Sequence, residues 1–171
     1  IREVGEKFGR GEYFLPELIM SAEAVKAGMR VLLPEIKRHG GKIEYRGRVV
    51  VATVAGDIHD IGKSLVAALL EANGFEVIDL GVDVPTETII NKVKELKPDI
   101  LGLSALLTIT MLEQEKVIKA LKEAGIRNEV KVMVGGAAVS EEWAERIGAD
   151  VYGSDANDAV EKAKKLLGDS S

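Results

Sequence analysis

"RVVVATVAGDIHDIGKS", residues Arg48 to Ser64, decides the fold. Its first eight residues form an almost continuously apolar run, the pattern of a parallel strand buried on both faces. Its end opens a helical period in which Ile61, Leu65, Ala68, Leu69 and Ala72 share one face, with Asn73-Gly74 as the stop. Between the two lies "GDIHDIGKS", a glycine loop that ends in Gly-Lys-Ser like a phosphate cradle. The same loop carries Asp57, Asp60 and His59, one of only two histidines in the chain. Acids are poor company for a phosphate, so the loop calls for another chemistry.

The strand-then-helix pattern repeats down the chain. Further strands are expected at "EVIDLG" (76–81), "DILGLS" (99–104), "VKVMVGG" (130–136) and "ADVYG" (149–153). Helical stretches follow each, "PTETIINKVKELKPD", "TMLEQEKVIKALKEAG", "SEEWAERIG" with Ser140 as N-cap, and "DANDAVEKAKKLLG". Five βα units in a row predict an α/β, flavodoxin-like (Rossmann-like) parallel sheet of order 2-1-3-4-5, with helices on both faces, spanning residues 47–171. Residues 1–46 read as part of a helical cap domain and a linker. There Phe14, Leu18, Ile19, Ala22, Val25 and Met29 form an apolar stripe, Pro34 is expected to kink or restart the helix, and Gly40-Gly41 to end it.

The bulk properties exclude whole classes. A chain of 171 residues with 46% hydrophobic and 30% charged residues suits one globular domain with an appendage. The net charge of -5 and the absence of basic runs argue against a nucleic-acid partner. No apolar run is long enough for a membrane span, and no signal peptide is visible, so a cytoplasmic location is expected. There are no cysteines, which removes disulfides, thiolate metal sites and cysteine nucleophiles. The first residue is Ile1 rather than Met, and upstream sequence is expected to have been removed.

In a doubly wound sheet, ligands bind beyond the carboxyl ends of the strands where the strand order reverses. Here that crevice lies between the first and third strands, so "GDIHDIGKS" should face "SALLTIT" (104–110), with "GGAAVS" (135–140) next to it. A phosphate loop needs glycine, four residues, then Gly-Lys-Ser/Thr. Gly56 to Gly62 has five between, with Asp57 where glycine would be needed, and no aspartate ends the third strand to hold magnesium. A phospho-receiver domain would need an aspartate after strand three and a lysine after strand five, where Ser104 and Gly153-Ser154 stand. Asp57 and His59 could simply cap a helix. On the crevice loop, however, a carboxylate that holds one imidazole N–H orients the ring toward a metal. One histidine cannot close a protein metal site, and His39 lies in the linker region, so such a metal would arrive inside a larger cofactor, which composition does not identify.

"GDIHDIGK", "GVDVP", "SALLT" and "GGAAVS", in this order and on these loops, resemble the cobalamin-binding domain of corrinoid methyltransferase systems. That group includes small corrinoid carrier proteins and the cobalamin module of methionine synthase. The resemblance covers most of 48–168, and "FLPELIMSAEAVKAG" looks like the end of the helical cap that precedes it. It implies a cobalamin or related cobamide, with His59 as lower axial ligand to cobalt in place of the cofactor's displaced base. It implies that Asp57 accepts the other imidazole N–H, with Thr110 supporting Asp57, and that the loop Gly56, Asp57, Ile58, His59, Asp60, Ile61 and Gly62 meets the cofactor. Ser104, Leu106 and Thr108 would line one wall of a slot for the nucleotide tail. Gly135 and Gly136 would leave space there (alone, they also read as a tight turn), and Tyr152, Gly153 and Ala156 would close its far end. Phe14, Leu15 and Met20 would approach the upper face, unless they are simply packed in a helix bundle. The implied function is a methyl carrier between a substrate-specific methyltransferase and an acceptor methyltransferase, with a reductive activase as a further partner. The alternatives are the cobalamin subunit of a carbon-skeleton mutase and a cobalamin-sensing regulatory module.

Overall fold

The computed structural model describes residues 3, 4, 7, 10–38 and 45–168. The apolar runs become β1 (Arg48–Thr53), β2 (Glu76–Asp79), β3 (Ile100–Ser104), β4 (Lys131–Gly135) and β5 (Val151–Gly153). All pair in parallel, in the order β2-β1-β3-β4-β5. The helices are α1 (Leu15–Arg38), α2 (Ile61–Ala72), α3 (Thr86–Leu96), α4 (Thr108–Glu123), α5 (Glu141–Ile147) and α6 (Ala156–Leu166). None is long and apolar enough to cross a membrane.

Two apolar layers hold the sheet. On one face Val50, Leu101, Leu103 and Val132 pack against Ile89, Ile118, Leu121 and Trp143 from α3, α4 and α5. On the other Val49, Val51, Ile100 and Met133 pack against α2 and α6 through Leu69, Leu70, Val160 and Ala163. Alternate residues of each strand feed opposite layers, which is why the strands read as unbroken apolar runs. Capping sets several helix starts. Ser140 accepts from Trp143 N at 3.2 Å, and Asp155 accepts from Asn157 N and Asp158 N at 2.9 Å.

Three expectations are corrected. Ile61 does not join the buried face of α2. It is 74% exposed, and the buried side runs through Ala67, Ala68, Leu69, Leu70 and Ala72 instead. The helix begins at the open crevice, where no element covers Ile61. Helix α1 continues through Pro34 to Arg38 without a break. Its proline removes one backbone donor, and the flanking turns carry the helix past the gap. Helix α4 starts at Thr108, two residues ahead of the predicted stretch. The expected glycine stop at Gly40-Gly41 lies outside the described residues.

Gln114 ties α4 to the sheet and to α5. Fully buried on α4, it donates through Nε2 to Leu103 O (3.0 Å) and Gly135 O (3.2 Å) and accepts from Trp143 Nε1 at 3.0 Å. Replacing it by leucine leaves the buried indole N–H without its acceptor, a loss of about 1–3 kcal/mol. Urea denaturation of Gln114→Leu should show that loss. In Trp143→Phe background the same substitution should cost markedly less, because the orphaned donor is gone.

A candidate ligand-binding crevice

The loops after β1 and β3 meet at the carboxyl edge of the sheet, and Asp57 joins them. Its side chain is buried, with the residue 1% exposed. Oδ2 accepts from Thr110 Oγ1 at 2.6 Å and from Leu106 N at 2.7 Å, both on the β3 side. Oδ1 accepts from His59 N at 3.1 Å and lies 2.7 Å from His59 Nδ1. Burial alone would raise the carboxyl pKa. The donors from Thr110, Leu106 and His59 outweigh it and hold Asp57 well below the usual carboxylate range.

An ionised carboxylate can only accept, so the proton on the imidazole resides on Nδ1 and the neutral ring presents a lone pair on Nε2. Nε2 has no protein partner among the described residues, and half of the His59 side chain is open to solvent. Two backbone anchors hold this loop. Thr53, buried at the end of β1, donates to His59 O at 3.0 Å. Asp83, from the loop after β2, accepts from Gly56 N at 2.7 Å.

Next to the loop lies a groove of about 520 Å³, within the range of small-molecule sites. Among the predicted residues, Gly62, Ser104, Gly135, Gly136, Tyr152, Gly153 and Ala156 line it. Leu106 and Thr108 do not. Leu106 sits on the rim and offers its backbone N–H to Asp57, while Thr108 opens α4 in the exposed first turn. Ile58 and Ile61 are largely exposed beside His59, and Asp60 precedes α2 without a side-chain capping bond. The groove also takes apolar walls that sequence reasoning missed, among them Val51, Val66, Gly102, Met133 and Ala159.

The paired glycines are demanded by the backbone as much as by any ligand. Gly136 has φ +125°, and a Cβ there would stand 1.9 Å from Ala105 O. A Cβ on Gly135 would come within 3.1 Å of Gly153 O. At Gly136 the loops after β3 and β4 approach too closely for a side chain, while at Gly135 the tight neighbour is the backbone of β5.

Lys63 resolves the phosphate-loop likeness. Its ammonium is buried and paired with both oxygens of Asp79 at the end of β2. Among the described residues, no cluster of three histidine, aspartate or glutamate side chains could hold a metal ion unaided. Phe14, just before α1, and Met20 on α1 are 71% and 72% exposed. The side chain of Leu15 lies outside the described ones.

The comparison with known families decides the class. The B12 binding domain family matches residues 47–161, and a second B12 binding domain description matches residues 1–33. The chain belongs to the B12-binding family.

Among similar members of that family is the trimethylamine corrinoid protein of Methanosarcina barkeri, 52% identical over 98% of this chain and 77% of the relative. A novel cobalamin-binding protein from Desulfitobacterium hafniense DCB-2 superposes with a TM-score of 0.75 at 43% identity, covering 98% of this chain and 78% of that one. The methanol:cobalamin methyltransferase complex MtaBC from Methanosarcina barkeri contains a chain that superposes with a TM-score of 0.88 at 36% identity, covering 97% of this chain and 62% of that one. The five-stranded order 2-1-3-4-5 is therefore the B12-binding fold.

In this B12-binding chain the stability of the ligand-free protein should depend on Asp57. Asp57→Asn should lose roughly 2 kcal/mol at pH 7 by urea denaturation, since charge-assisted bonds weaken to neutral ones. A carboxyl whose folded pKa is depressed stabilises above its unfolded pKa and loses that contribution as pH falls toward its folded value. The gap between variant and parent should therefore narrow below about pH 4.

Proposed function

We propose that this chain is a methyl-carrying corrinoid protein, in which His59 would ligate the cobalt in place of the cofactor's own base. The carrying observation is the Asp57–His59 pair, which fixes the proton on Nδ1 and leaves Nε2 without a protein partner among the described residues, on a side chain half open to solvent. An oriented imidazole that belongs to no cluster of three ligating side chains among the described residues suits a metal that would arrive already chelated inside a larger cofactor. The groove beside it, small-residue in its walls and largely apolar, suits a displaced nucleotide tail. Donor set and cavity thus fit a corrinoid.

When bound, the corrinoid supplies a cobalt centre that accepts and releases the methyl group. The chain's residues do the rest. Thr110 and Leu106 N hold Asp57, Asp57 holds Nδ1–H, and the ring is thereby aimed and made a stronger donor through Nε2. Nε2 would then be the nitrogen offered to the metal, and the Asp57 carboxylate would keep the ring turned toward it.

The relatives' names point to a methylated amine as the source of the methyl group, and the relative found in a methyltransferase complex supports a substrate-specific methyltransferase as one partner. An acceptor methyltransferase would take the methyl group on, and a reductive activase would restore an oxidised cofactor. Residues 1–46, as a cap ahead of the α/β domain at 47–171, would bring Phe14 and Met20 over the face opposite His59.

His59→Ala tests the ligand assignment directly. The variant should still take up cobamide, through the groove, while its absorption spectrum changes to that of a corrinoid without a histidine ligand. Identical spectra for variant and parent would refute it.

A further inference from the structure

We infer that Asp83 is a positioning residue for the His59 ligand, acting as a two-point clamp on the backbone of its loop. The inference rests on the reading of His59 as a cobalt ligand. Asp83 lies in "GVDVP", the connection from β2 to α3. Its side-chain Oδ1 accepts from Gly56 N at 2.7 Å, and its own N–H donates to Asp57 O at 2.8 Å. The two bonds close a ring around the peptide that leads into Asp57 and His59.

The rest of the connection is laid alongside the same segment. Thr53 N donates to Gly81 O at 3.0 Å, Val84 N donates to Thr53 O at 3.1 Å, and Val54 and Val84 form a parallel bridge. Asp79 fastens the near end by accepting from Lys63 of α2 and from Gly81 N. The His59 loop is therefore gripped on its far side from β3, opposite the grip that Thr110 and Leu106 exert on the Asp57 carboxylate.

The backbone at Asp83 explains why this is more than ordinary turn chemistry. Its φ is +51°, in the left-handed region, where a non-glycine residue carries strain that its surroundings must sustain. Glycine would meet that φ without strain, but would bring no acceptor for Gly56 N. The carboxylate contributes to neither apolar layer and is exposed. Among the described residues it forms no salt bridge, so its hydrogen bond to Gly56 is the feature that a substitution removes. Gly56 itself has φ +77° and presents its N–H to Asp83 in that conformation.

The test compares Asp83→Gly and Asp83→Asn with the parent chain, first without cofactor and then loaded with cobamide. Asp83→Gly relieves the strain while deleting the clamp, so its melting temperature should stay within about 3 °C of the parent. Without cofactor, its Gly56 amide should exchange hydrogen roughly tenfold faster by NMR, the loss expected for one charge-assisted bond. Loaded with cobamide, it should show a smaller histidine-ligated fraction in its absorption spectrum. Asp83→Asn, which keeps an acceptor, should restore most of both properties. Parental Gly56 exchange in Asp83→Gly, or a spectrum that changes only in step with a fall in melting temperature, would overturn the clamp. The cofactor-free exchange is read independently of cobalt, so a failure of the His59 assignment in His59→Ala stays distinct from a failure of the clamp.

Discussion

A carboxylate taken out of water is costly unless every lone pair that matters finds a donor. Asp57 meets that condition with four donors, from Thr110, Leu106 N, His59 N and the His59 ring. Two come from its own loop and two from the connection after β3, so the charge staples the switch point of the sheet together. It also chooses the imidazole tautomer, since an ionised acceptor needs the proton to be on Nδ1. The chemistry available at Nε2 follows from that choice. Acids from three places meet at this loop: Asp57 within it holds the histidine, Asp83 after β2 accepts from Gly56 N, and Asp79 at the end of β2 occupies Lys63.

Much of this was legible in the amino-acid sequence because the physics behind it is local. Strands buried on both faces must be apolar throughout, and all five runs became strands one or two residues shorter than expected. Ser140, Asn73-Gly74 and Gly148 marked helix ends through backbone geometry that neighbours barely alter. Periodicity failed at Ile61, where an apolar residue on the helical stripe faces the crevice instead of the core. A hydrophobic position counts as buried only if another element comes to cover it, and a pattern within one helix does not contain that information.

The site divides along the same line. Asp57 and His59 are two residues apart, so their pairing can be read from spacing. Thr110 was implied only through resemblance to a family, since 53 residues separate it from Asp57. Leu106 acts through its amide, which every residue but proline possesses, and Gln114 serves through a buried bond to an indole 29 residues away. Asp83 belonged to a quoted motif with no role attached. The glycines at 135 and 136 were read as space for a ligand or as a tight turn; both line the groove, and at Gly136 the backbone of Ala105 also leaves no room for a Cβ. Backbone donors and chain crossings leave little trace in a pattern of side chains.

The span of the Asp57 staple has a consequence for how the protein matures. As synthesis proceeds, His59 leaves the ribosome well before Leu106 and Thr110, and β3 lies between them in the chain. Until β3 has docked beside β1, the aspartate has neither of its distant donors, and nothing fixes which ring nitrogen bears hydrogen. A nascent fragment that ends at α2 contains the Asp57–His59 pair yet neither of the distant donors that hold its carboxylate, so the order of the crevice loop belongs to the finished domain.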